Sequence, residues 1–99
     1  MSVLAEIALI PVGTGSAGIS QIIADSVKVL DKHHLKYDIT ATGTNVEGNL
    51  ADILSAVQEM DEVPFQEGAN RVILMVRLDD RRDKSINLDY EKWSLDEKL

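Results

Sequence analysis

The residues with chemical potential fall into a few short stretches. Gly13-Thr14-Gly15-Ser16-Ala17-Gly18 has the G-x-G-x-x-G spacing of a dinucleotide-binding turn, set after an apolar run and before a helical pattern. Thr44-Asn45-Val46-Glu47 offers a hydroxyl, an amide and a carboxylate within four positions, the makings of a polar binding rim. His33-His34 raises the question of a metal, but adjacent side chains diverge on a helix and do not share one ion. Asp79-Asp80-Arg81-Arg82-Asp83-Lys84 brings three carboxylates close together. A cation site needs them to converge, and the two arginines between them favour ion pairing within a tight turn instead.

The chain around these stretches limits what they can do. Its 99 residues suffice for one domain, and it has no cysteine, so a disulfide framework, a thiolate metal site and a cysteine nucleophile are all excluded. That composition suits a reducing, cytoplasmic setting. With 17 acidic against 10 basic residues the net charge is −7, which disfavours nucleic acid and favours cationic small molecules. No apolar run approaches the roughly 20 residues of a membrane span. The N-terminal apolar stretch, interrupted by Glu6 and Pro11, reads as a strand rather than a signal peptide.

Periodicity gives the elements. Val3 to Val12 is apolar on both faces, as a central strand is. Ile19, Ile22, Ile23, Val27 and Leu30 recur at helical spacing, with Ser16 or Ser20 available as N-cap and the histidines in the last turn. Tyr37 to Thr42 alternates as a strand, Gly43 turns, and Thr44 to Glu47 returns. Asn49 caps a second helix whose stripe is Leu50, Ile53, Leu54, Val57 and Met60, and Pro64 is expected to kink or restart it. Gly68 ends it, and Arg71 to Leu78 is the last strand. Residues 85–99 carry scattered apolar side chains and form a tail that docks on its own chain or on a neighbouring subunit.

The order βαββαβ predicts an α+β, ferredoxin-like sandwich over residues 1–84, an antiparallel sheet with two helices on one face. The first and third strands are expected to lie side by side and parallel. Their C-terminal ends would then bring Thr14, Gly15, Ser16 and Ser20 beside Glu47, Gly48 and Asn49, with both helix N-termini at that end. A dinucleotide is excluded, because the second strand folds straight back and no further βα units follow. The glycines then serve the turn itself, or they help form a polar small-ligand site. The open sheet face presents Ile73 and Met75, which predicts a homo-oligomer packed through it. Glu6 on that face is expected to form a buried pair with Arg77.

Several motifs occur together in order: Ile10-Pro11-Val12-Gly13-Thr14, Ser20 at the helix start, and Tyr37 leading to Thr42-Gly43-Thr44-Asn45-Val46-Glu47-Gly48. Gly68-Ala69-Asn70-Arg71-Val72 and Asp79 to Lys84 complete the pattern. This combination, over about residues 2–84, resembles the small thiamine-binding protein family, related to the thiamine/hydroxymethylpyrimidine-binding protein of bacilli. The resemblance implies a ferredoxin-like fold, assembly into dimers or tetramers, and non-catalytic binding of thiamine or its pyrimidine moiety, with no cofactor beyond that ligand. On this basis Thr14, Ser20, Gly43, Thr44, Asn45 and Glu47 are the candidate ligand-binding residues, with Glu47 on the amino group or ring nitrogen of the pyrimidine. The competing reading of Glu47 is a solvated acid favoured by a nearby helix N-terminus. Competing functions are an enzyme using Glu47 as acid or base, and a purely structural or regulatory oligomer. Pro64 and the tail depart from the family pattern.

Overall fold

A computed structural model describes residues 2–13, 18–84 and 86–99, the side chains of 90–94 excepted. The elements are β1 (Val3–Val12), α1 (Ile19–Lys32), β2 (Lys36–Ile39), β3 (Thr44–Gly48), α2 (Leu50–Gln66), β4 (Arg71–Asp79) and α3 (Leu88–Lys98). The sheet order is β2-β3-β1-β4, and every neighbouring pair is antiparallel. The fold is the expected ferredoxin-like sandwich, with α3 added at its end.

One face of the sheet is sealed by α1 and α2. Val3, Ala5 and Ile7 of β1 meet Val46 of β3, Val27 and Leu30 of α1, and Ile53, Ala56 and Met60 of α2 in one buried cluster. Leu30, Ile53 and Val46 have no exposed surface. Each contributes about 1.5–3 kcal/mol of transfer free energy, which makes this stripe the main source of cohesion. β4 alternates with period 2: Val72, Leu74 and Val76 point to the helices and Ile73, Met75 and Arg77 face away, whereas Leu78, expected on the helix side with the first three, is exposed at the strand end.

Local chemistry sets the ends of the helices. Asn49 Oδ1 accepts from the Asp52 amide at 2.8 Å and caps α2, and Gly68 at φ +101° follows its C-cap. At α1 the N-cap is Gly18, without a side-chain bond; of the two serines expected as cap, Ser20 lies inside the first turn and Ser16 lies outside the described residues. α2 runs through Pro64 to Gln66 rather than restarting there. Proline there removes one intrahelical donor and crowds the carbonyl four residues back, and burial of its ring in the core offsets part of that cost.

The parallel arrangement of the first and third strands is corrected. β1 and β3 are adjacent but antiparallel, with Val3 opposite Gly48 and Ile7 opposite Thr44. The helical crossover returns the chain so that β2 runs with β1, and the hairpin then reverses β3 into the slot between them. The N-termini of α1 and α2 therefore lie at opposite ends of the sheet. Ser20 and Glu47–Asn49 are separated with them, and the nook expected between these segments does not form.

The other sheet face is partly covered. Ile86 and Leu88 bury Leu4 at one end of it, and Lys36 pairs with Asp89 there. Ile10, Ile73 and Met75 stay exposed further along. Glu6 does meet Arg77, at 3.7 Å, but both side chains are exposed, so the pair is a solvated one of small worth rather than the buried one expected.

Candidate functional site

The site follows from a mismatch in strand length. β1 has ten residues and β3 only five, so β3 pairs with β1 as far as Ile7 and then turns away. The turn is tight: the amide and hydroxyl of Thr40 both donate to the Gly43 carbonyl, at 2.8 and 3.0 Å. Glycine is required at 43, since a Cβ there would lie 2.8 Å from the Ile7 carbonyl oxygen. Among the described residues, β1 has a strand partner from Ala8 onward only on its β4 side.

A cleft of about 690 Å³ occupies the space that a longer β3 would fill. Ile7 to Ile10 form its floor, α1 gives one wall through Ser20, Ile23 and Val27, and the Thr40–Thr44 turn gives the other. Met60 and Met75 also line it. Its polar groups are few. Ser26 is 1% exposed, and its Oγ has no hydrogen-bond partner among the described residues. Tyr37 donates to Asp31 Oδ2 at 3.3 Å, and burial together with that carboxylate pushes the phenol above its ordinary value, so it is neutral at pH 7. An apolar slot with a handful of directed polar groups suits a flat, partly polar small molecule.

Ser20, Gly43 and Thr44 are brought together in this cleft. Thr14 lies outside the described residues. Asn45 is instead on the open sheet face, in a shallower depression of about 490 Å³ shared with Glu6, Arg77 and Asp79. Glu47 is at the far end, where its Oε1 accepts from the Leu88 amide at 3.3 Å. It therefore tethers the C-terminal segment. Asp79 to Lys84 carries Arg81–Asp83 and Arg82–Asp80 pairs, the ion pairing that its sequence suggested, along a stretch that bends at 83–84. His33 Nε2 stands 3.4 Å from Glu59 on the seam between α1 and α2, and no metal-binding cluster occurs among the described residues.

Ser26 and Asp31 were not singled out from the sequence, and Tyr37 entered there only as a strand and motif residue, not as a candidate for the site. Ser26 left one trace: it sits at helical spacing within the stripe Ile19, Ile22, Ile23, Val27, Leu30, a polar residue among apolar ones. The pairing of Tyr37 with Asp31 left no trace, because their meeting depends on how β2 crosses the end of α1.

The fold and the cleft define a small α+β sandwich with an open cleft at an interrupted strand edge. The family profile described as thiamine-binding protein matches residues 5–95, and the chain belongs to that family. It is 36% identical to the UPF0045 protein YqgV of Bacillus subtilis strain 168, over 97% of this chain and 96% of that one. A UPF0045 protein of Methanothermobacter thermautotrophicus is 35% identical, over 98% and 99% of the two chains. The crystal structure of the hypothetical protein MJ1052 of Methanocaldococcus jannaschii superposes with a TM-score of 0.88 at 30% identity, covering 97% of each chain. A Thermotoga maritima protein, attached provisionally to thiamine biosynthesis or salvage, shares the fold with a TM-score of 0.81 at 20% identity, over 96% and 99%.

Proposed function

We propose that this protein binds thiamine, or its 4-amino-5-hydroxymethylpyrimidine moiety, in the cleft between α1 and the β2–β3 turn, without transforming it. The observation that carries the reading is the apolar cleft with the unpartnered Ser26 hydroxyl, in a chain of the thiamine-binding family. A cavity of 690 Å³ falls within the range of small-ligand sites, about 300–1,000 Å³. The apolar walls take the faces of the ring, and the acidic surface suits a thiazolium cation. Ser20 and Thr44 supply hydroxyls to the rim. Thr14, four residues before Gly18, is a further candidate there.

Binding rather than turnover is favoured by where the titratable groups stand. Glu47, the acid or base of an enzymatic reading, is tethered to Leu88 at the other end of β3, and His33 is engaged on the helix seam. Calorimetric titration of the purified protein with thiamine and with the free hydroxymethylpyrimidine tests the proposal. Saturable heat is expected for at least one of them; no heat and no thermal shift at millimolar ligand would refute it.

A second copy of the chain is the further partner we infer, seated on the open face. Ile10, Ile73 and Met75 are exposed there, and Ile10 and Met75 also line the cleft, so association through this face would close the ligand site.

A further inference from the structure

We propose that the main chain of Leu9, rather than a side chain, reads the ligand, selecting rings that carry an amino donor beside a ring-nitrogen acceptor. This inference rests on the thiamine reading above and names what recognises the pyrimidine.

The direction of the β1 amides is fixed by Gly43. Its hypothetical Cβ lies 2.8 Å from the Ile7 oxygen, so the Ile7 carbonyl points to the β3 side. Amide groups alternate along an extended strand, and those of Leu9 and Pro11 therefore point the same way. β3 ends its pairing at Thr44, opposite Ile7, and Leu9 faces the cleft instead. Pro11 has no N–H, so Leu9 offers the next complete donor and acceptor pair along this edge after Ile7.

In an antiparallel sheet such a residue exchanges two hydrogen bonds with the residue opposite. A 4-aminopyrimidine reproduces that opposite edge: its amino N–H donates to the Leu9 carbonyl, and its adjacent ring nitrogen accepts from the Leu9 N–H. The ring then lies as an extension of the sheet in the place β3 vacates. Its faces meet apolar side chains such as Ile23 and Met75, and Ser26 remains as a further hydrogen-bond partner within the cleft. Pairing a free strand edge with a ligand also offsets the cost of leaving its polar groups unmatched in an apolar slot.

The register makes the test possible. Leu9→Pro replaces the cleft-facing N–H with a ring methylene, as the natural Pro11 already does two residues on, and leaves the β4 side of the strand paired. Leu9→Ala trims the side chain but keeps the N–H, so the two differ at the donor and the methylene that replaces it, and the 4-oxo analogue reads the donor pattern with the protein unaltered. Thiamine is expected to bind Leu9→Pro about tenfold more weakly than Leu9→Ala, the effect of one hydrogen bond in a dry site. The 4-oxo analogue of thiamine reverses the donor and acceptor pattern, and matching it would turn the ring over and misplace its substituent. It is expected to bind the unaltered protein at least tenfold more weakly than thiamine. Equal affinities of the two variants overturn the proposal while leaving thiamine binding intact. If Leu9→Pro fails to fold, equal affinity of the analogue and thiamine for the unaltered protein overturns it. No binding of thiamine or the pyrimidine by the unaltered protein removes both this inference and the function it rests on.

Discussion

Ser26 is the residue at which stability and function pull apart. A hydroxyl buried to 1% exposure without a partner carries a desolvation cost that an alanine would not. Ser26→Ala is therefore expected to stabilise the free protein by about 1 kcal/mol in urea unfolding, while weakening thiamine binding about tenfold in titration. A loss of stability would show that the hydroxyl is already satisfied in the free protein. Gly43 is the contrasting case. It contributes no chemistry, yet the absence of a Cβ lets the turn press against Ile7 and sets the rim of the cleft.

Among the elements, α1 and α2 lie antiparallel and meet along a charged seam. Lys32 pairs with Glu59 at 3.1 Å and, with His33, holds that carboxyl below its usual range. At the other end Asp25 and Glu67 share a hydrogen bond, which lowers Asp25 and raises Glu67. The two shifts act oppositely with pH. Stability from Glu59 is present above its unfolded value and is lost as pH falls through the lowered one. Stability from protonated Glu67 is full below its unfolded value and is lost as pH rises through the raised one. Glu67→Gln keeps a donor towards Asp25 but cannot ionise. Its melting temperature is expected to exceed that of the unaltered protein at pH 7, with the difference vanishing as the pH falls below the ordinary glutamate range. A pH series of thermal melts checks this, and parallel curves for the two proteins would count against a shared proton.

At the scale of the whole molecule, the two faces of the sheet have different fates. One is closed by α1 and α2. The other is covered only near Leu4, by Ile86 and Leu88, with Glu47 and Lys36 tying that segment down. Beyond the exposed Glu6–Arg77 pair, an apolar patch of Ile10, Ile73 and Met75 is left uncovered and runs into the cleft. Ile73 is on that surface but does not line the cleft, which makes it the position to test. In sedimentation velocity the unaltered protein is expected to run as a homo-oligomer and Ile73→Glu as a monomer with the same helical content, since a charge cannot be buried unpaired at such an interface. A monomeric unaltered protein would rule out the face as an interface between copies.

Much of this was legible in the residues. The order of the six core elements, the Asn49 cap, the Gly68 terminus and the two faces of β4 were all readable, because each depends on neighbours within a few positions. Half of the candidate site was readable too: Ser20, Gly43 and Thr44 meet in the cleft. Glu47 and Asn45 do not join them, because the direction of β3 against β1 is not a local property. Assigning it the wrong sense moved Glu47 from one end of the sheet to the other.

The sequence by itself determined which segments form strands and helices and which of their sides are apolar, since periodicity and capping act over one or two turns. Only the tertiary structure decided that β3 stops five residues short of the end of β1, and hence that a strand edge, Ser26 and the hairpin turn enclose a cleft. That outcome rests on pairing register between segments some forty residues apart, where hydrophobic burial on the helix face selects one alignment, and the vacancy beside Leu9 is what that alignment leaves behind.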